Sequence, residues 1–210
     1  IAEPSALQSG DTVQLTSDVT GDFEIPDGIT ALTLDGQGHT ITGQVEYWGD
    51  TIDLTLQNVH VINTSITGGT AVYLRGVASV TVQGNCSFTS QGDVAISLFE
   101  SGTVVIEGSC TINAHTRGIS GSDRGEVDVK AGARLSITAS SDGIRMDAGT
   151  VHVDGTLDIR SRYDGIEASD GDLALSGSGI IDVISEMYNG IKADGQLTSS
   201  FTGNLSVESG

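Results

Sequence analysis

Three short strings hold the densest side-chain chemistry of the chain: Ser141-Asp142-Gly143-Ile144-Arg145, Tyr163-Asp164-Gly165-Ile166-Glu167 and Tyr188-Asn189-Gly190-Ile191-Lys192. In each, an oxygen-bearing side chain precedes Gly-Ile and a charged one follows it. If the isoleucines point inward from stacked strands, Arg117, Asp142, Asp164 and Asn189 share one corner column. Ser97, Ser120, Arg145, Glu167 and Lys192 then share one outward column. Carboxylates stacked about 5 Å apart repel by roughly 3 kcal/mol at an effective dielectric of 20, so something must offset Asp142 against Asp164. Calcium takes six to eight oxygen ligands, and Asp142, Asp164, Glu167 and Asn189 offer side-chain oxygens from adjacent units. The same residues support a second reading. Asp before Gly is a common turn pair whose carboxylate caps nearby N–H groups. Arg117 can neutralise Asp142 without metal, and Arg145, Glu167 and Lys192 alternate in sign as an exposed ladder would, each pair worth well under about 1 kcal/mol. On the sequence both readings stay open.

The elements that would position these columns are set by a repeat. Alternating apolar pairs return about every 24 residues: Leu32/Leu34, Leu54/Leu56, Val80/Val82, Val104/Ile106, Val127/Val129, Val151/Val153 and Leu173/Leu175, with Leu197 opening a weaker unit. A second apolar pair follows in most units, as in Cys86/Phe88, Cys110/Ile112, Ala133/Leu135 and Leu157/Ile159, and then a third column of Val72, Ile96, Ile119, Ile144, Ile166 and Ile191. Three period-2 strands per repeat predict an all-β, single-stranded right-handed parallel β-helix of about eight coils, about 24 residues per coil. Each coil is stabilised by stacking on its neighbours, because none buries its apolar face alone. Residues 1–210 read as a single parallel β-helix domain. Val13/Leu15 and Phe23/Ile25 open the rod, and only Pro4 to Gln8 offers a short helical turn.

Composition agrees with a solenoid. Glycine is abundant at 29 residues and proline scarce at 2, which suits a chain of tight corners and uninterrupted ladders. A net charge of −19 opposes nucleic acid and anionic lipid as partners. No apolar run reaches the length of a membrane span, so membrane insertion is not expected. Cys86 and Cys110 take the same inward place in consecutive coils and read as buried thiols in the bore, since parallel Cβ vectors suit a disulfide poorly. The chain stops in strand-like alternation at Ser206-Val207-Glu208. That predicts a fragment of a larger secreted protein, with further coils, a C-terminal domain or a partner covering the open coil.

The string from Leu34 to Ile41 resembles the opening coils of pectin-lyase-type right-handed β-helices, a fold with many functions. The stretch from Ser140 to Gly195 resembles the secreted clostridial carbohydrate-binding (cellulose- and pectin-binding) β-helix domain family. That family carries tandem Asp-Asp-Gly-Ile, Tyr-Glu-Gly-Ile-Glu and Asp-Asp-Gly-Ile-Asn coils with calcium held between them. The middle string matches closely, with Asp164 for the first glutamate; the first has Ser141 for an aspartate, and the third has Tyr188-Asn189 and Lys192. The resemblance implies a secreted or cell-surface bacterial protein and a calcium site around Asp142, Asp164 and Glu167, with a second site near Asn189 weakened by the loss of the double aspartate and by Lys192. It also implies a non-catalytic, extracellular module for a plant-type or cell-wall polysaccharide.

From the residues themselves, Tyr163 and Tyr188 in consecutive coils would stack on sugar rings, and Arg145, Arg162 and Lys192 would meet uronate carboxylates. Trp48 with Tyr47, and Tyr73 in the next coil, form another exposed-aromatic candidate. Two further functions compete. A polysaccharide lyase would use the cation with Arg145 or Lys192 as base, and an inverting hydrolase a facing pair such as Asp142 and Asp164. Against both, His39, His60, His115 and His152 are scattered, and the paired-aspartate, Gly-His-Gly and Arg-Ile-Lys signature of pectin hydrolases does not occur. A structural stalk of a surface adhesin needs none of these residues.

Overall fold

Alternation of Val, Ile and Leu with small polar residues makes each segment two-faced, and a two-faced strand is satisfied only when another lies directly above it in register. The computed structural model, which describes residues 7–210, shows this solution throughout: every strand pairing is parallel and joins segments one coil apart. Each coil contributes three strands, one to each face of a β-solenoid. The first face runs from Asp11–Gln14 through Ala31–Asp35, Thr51–Gln57, Val77–Gln83 and Gly102–Ile106 to Leu173–Ser176 and Leu197–Ser199. The second face is a 9-stranded sheet from Val19–Thr20 to Asn204–Ser209. The third begins at Phe23–Ile25 and ends at Ile191–Ala193. Two strands, Ile119–Val129 and Ile144–Val153, run unbroken around the corner between the third and first faces, so those faces merge into one 15-stranded sheet.

The bore is filled by the expected columns. Ile96, Ile119, Ile144, Ile166 and Ile191 are register partners from coil to coil, and all but Ile191 are fully buried. Each fully buried side chain of this kind contributes about 1.5–3 kcal/mol, so stability is shared among the stacked inner coils, while Leu197, Leu205 and Val207 in the last coil are exposed. Cys86 and Cys110 face each other in register as buried free thiols, and burial pushes both thiols up from their ordinary range.

Two registers differ from the sequence reading. Val151 lies over Leu175 rather than Leu173, because Leu173 stacks on Gly149, which restores a repeat of full length at that step. The inward pair opposite Cys110/Ile112 is Leu135/Ile137, and Ala133 belongs to the preceding turn. In both cases a neighbouring apolar residue in the same phase of alternation drew the assignment two positions early. The helical turn expected at Pro4 to Gln8 falls mainly outside the described residues. Among the described residues no helix forms, so none is long and apolar enough to cross a membrane.

Candidate functional site: a carboxylate cluster and exposed aromatics on the third face

The corner between the second and third faces turns on Asp-Gly-Ile for a steric reason. A Cβ on Gly143 would meet the Ile159 side chain and the Gly165 carbonyl oxygen, and one on Gly165 would meet Val183 and the Gly190 carbonyl. Only glycine lets the corner settle against the bore. That tight corner aims the preceding side chain along the rod toward the next coil.

The carboxylates at this corner do two jobs at once. Asp142 Oδ1 accepts the backbone N–H of Asp164 (3.2 Å), and Asp164 Oδ1 accepts the N–H of Asn189 (2.9 Å) together with its side-chain Nδ2 (3.0 Å). Corners elsewhere use the same device: Asp18 caps Thr40, Asp22 caps Gln44, Asp154 caps Ser178 and Asp172 caps Gln196, at 2.7–2.9 Å. Each carboxylate thus caps the following coil rather than its own turn.

The remaining oxygens converge. Asp142, Asp164 and Glu167 are all buried, with one ligand atom of each within 4.8 Å of the others. Glu167 occupies an outward register position, yet its side chain is only 6% exposed, because Arg145 and Lys192 fold over it. Lys192 Nζ donates to Glu167 Oε1 at 2.7 Å, and Arg145 Nε lies 3.3 Å from Glu167 Oε2. Arg145 also reaches Asp142 Oδ2 (3.7 Å). Arg117 Nε lies 3.4 Å from the same oxygen but is not aimed at it, which leaves a buried donor without an acceptor. The hydrogen bond to Glu167 holds the Lys192 ammonium above the ordinary lysine range, and Asp194 at 3.3 Å adds to this. Asp142 and Glu167 therefore face Arg117, Arg145 and Lys192, while Asp164 meets only the Asn189 donors, and the exposed ladder expected for Arg145, Glu167 and Lys192 is instead a partly buried ion-pair network.

The cluster fits a calcium ion in its donors. Ligand atoms on opposite sides of calcium stand about 4.6–5.2 Å apart, which is twice the usual metal–oxygen distance, and the three carboxylates fall within that span. Its counterions oppose one. Arg145 and Lys192 hold the Glu167 oxygens, so a cation there would have to exchange with them; both side chains are about a third exposed and have room to turn outward. Asn189 is exposed and presents N–H donors to Asp164, so the structure does not gather it with the other three as an oxygen ligand.

Tyr163 and Tyr188 stand side by side at the same corner, ring centroids 5.2 Å apart and both exposed, with the Arg162 guanidinium 5.9 Å from the Tyr163 ring. The corner backbone beneath them is fixed by Ser161 and Ser185, whose buried hydroxyls both donate to the Tyr163 carbonyl. Of the other aromatic candidates, Tyr47 is buried, its hydroxyl donating to the Thr51 carbonyl (2.8 Å). Trp48 and Tyr73 are in contact as expected, and Phe99, which the sequence reading missed, extends them. Its signal was available: Trp48, Tyr73 and Phe99 recur at nearly the coil interval. The chain matches no family model, no curated protein and no solved structure, so the assignment of this face rests on its own geometry.

Proposed function

We propose that this protein is a non-catalytic, extracellular polysaccharide-binding module that contacts its ligand through the side of the rod. The observation that carries the reading is the Tyr163–Tyr188 pair: two exposed rings on consecutive coils, centroids 5.2 Å apart and tilted by 49°, on a corner held by buried serines. Rigid aromatic faces with free hydroxyls are suited to sugar rings, which present apolar C–H faces and polar edges. The motif resemblance to the clostridial carbohydrate-binding domain supports the same conclusion. An enzymatic role finds less support, because Asp142 and Asp164 are buried and each commits one oxygen to a coil amide.

Calcium is the second part of the reading. Asp142, Asp164 and Glu167 would hold the ion, which would tie two consecutive coils together beneath the tyrosines. Competition from Arg145 and Lys192 would weaken binding toward the range of extracellular modules, about 0.1–1 mM. Affinity electrophoresis through gels containing soluble polysaccharides, run with calcium and with chelator, tests the binding function. Retardation that disappears in Tyr163→Ala/Tyr188→Ala supports it, and free migration in every gel rejects it. Titration calorimetry on chelator-stripped protein and on Asp164→Ala tests the metal.

A further inference from the structure

A second aromatic platform lies on the third face, several coils from the tyrosine pair. Trp48, Tyr73 and Phe99 belong to three consecutive coils and run in line along the rod. Ring centroids are 5.0 Å apart for Trp48–Tyr73 and 6.4 Å for Tyr73–Phe99, with interplanar angles of 44° and 48°. Trp48 is 46% exposed and Phe99 53%. Rings of this size are placed in solvent against a hydrophobic cost, and a contiguous exposed apolar patch marks a contact surface. The Trp48 indole N–H donates to Glu46 Oε2 (3.1 Å), which in turn accepts from Gln44 (3.3 Å), so the largest ring is held in place.

Beyond Phe99 the face continues as a groove of about 340 Å³ toward the carboxylate cluster. Ser97, Ser120, Gly121 and Ser122 line it, with Arg117 and Arg145 beyond them. Hydroxyls and small residues next to an aromatic stripe suit a flexible polymer rich in hydroxyl groups.

The chemistry argues against two other ligand classes. The rings touch one another, so no cage exists between them for a quaternary or methylated ammonium group. The two arginines on the groove face Asp142 and Glu167, and Asp93 and Asp147 also line it, so the groove offers a polyanion no uncompensated positive charge, and Arg75, exposed between Trp48 and Phe99, is a single cation beside the rings. On a chain of net charge −19, a polyuronate or nucleic acid would be repelled.

We infer that Trp48, Tyr73 and Phe99 form a binding platform for an uncharged polysaccharide, whose chain lies lengthwise along the third face from Trp48 toward the groove at Ser120. The inference rests on the polysaccharide reading above and adds a separate contact, a direction and a ligand class.

Trp48 is the only tryptophan in the chain, so its fluorescence reports on the platform alone. The probes are hydroxyethyl cellulose, xyloglucan and galactomannan as neutral polymers, and polygalacturonate as the polyanion. The expected result is a saturable change in Trp48 emission with at least one neutral polymer and none with polygalacturonate. Tyr73→Ala and Phe99→Ala should each weaken binding about tenfold, as loss of a central aromatic contact does. Both side chains are surface features, and an unchanged circular dichroism spectrum and melting temperature confirm folding. If the wild type is retarded in gels while Trp48 emission stays constant and the two variants bind normally, the platform is refuted and the tyrosine-pair reading stands. A response to polygalacturonate alone overturns the ligand class. If no polymer binds by either assay, both readings fall together.

Discussion

Replacing Glu167 with glutamine removes one charge and almost no volume from the centre of the network. Lys192 Nζ is 2.7 Å from one carboxylate oxygen and Arg145 Nε 3.3 Å from the other. At an effective dielectric of 20 the gross attraction across the Lys192 contact alone is about 6 kcal/mol at 2.7 Å. Most of that is offset by the desolvation of Glu167, whose side chain is only 6% exposed. The two basic partners escape part of the loss, since they can turn to water. The net cost of Glu167→Gln in chelator should therefore lie near 1–2 kcal/mol, between the values for surface pairs and for fully buried ones. For a chain of 210 residues that lowers the melting temperature by about 2–8 °C. Calcium would separate the ion-pair role of the cluster from its proposed metal-binding role. With a dissociation constant of about 1 mM, 10 mM calcium adds roughly 1.4 kcal/mol to the wild type. Glu167→Gln removes a ligand and should abolish that gain. Lys192→Gln removes a competitor and should enlarge it, although it too melts lower in chelator. Scanning fluorimetry of the three proteins in chelator and in 10 mM calcium reads all of this. A melting temperature for Glu167→Gln within about 1 °C of wild type in chelator would refute the ion-pair argument. An equal calcium shift in all three would remove the cluster as the metal site.

Gly165→Ala should cost about 1–3 kcal/mol in denaturant titrations, because its new methyl group meets Val183 and the Gly190 carbonyl across a close-packed corner. Cys86 and Cys110 should be inert to a disulfide-exchange reagent in the native state and react fully after unfolding, since both are buried and burial disfavours their thiolates. The Thr40 N–H holds the Asp18 carboxyl below its ordinary 3.8, and hydrogen bonds from His152 and Ser178 do the same for Asp154. Groups with lowered native values stabilise the fold above their unfolded pKa and lose that contribution as pH falls through the native one. Thermal stability should therefore hold down to about pH 4 and drop below it, with a shallower acid limb in Asp154→Asn.

The rod was legible in the sequence because its columns are one-residue-wide apolar stacks with a fixed interval. The Ile96-to-Ile191 column could be placed residue by residue from spacing, and the register follows it. Errors arose where alternation gave two in-phase choices, as at Leu173/Leu175 and Ala133/Leu135, since period-2 patterning fixes the face of a strand but not a slip of two. The columns of the carboxylate site were also legible, but its charge state was not. Spacing places Arg145, Glu167 and Lys192 one above another, and only side-chain conformations show that the two bases close over the acid. Phe99 was hidden for a related reason. It follows Leu98 two residues beyond the Tyr73 column, and the contact between the rings depends on tilt rather than on register.

The acidity of the chain has a structural use that bears on its ligands. Aspartate is the residue that caps the following coil at corner after corner, so a long solenoid built this way accumulates negative charge in proportion to its length. That charge persists although one oxygen of each such carboxylate is tied to a backbone amide, because the hydrogen bond orients the group without neutralising it. It sets a field that keeps polyanions away. The third face departs from the pattern at two places, where it carries aromatic rings and where basic groups gather at Asp142 and Glu167. Between them lies a groove lined by serine and glycine. On the binding proposal, a rod whose corners oblige it to be acidic, and whose exposed aromatics align along its axis, would suit a long uncharged polymer, since such a ligand meets the rings without facing the field.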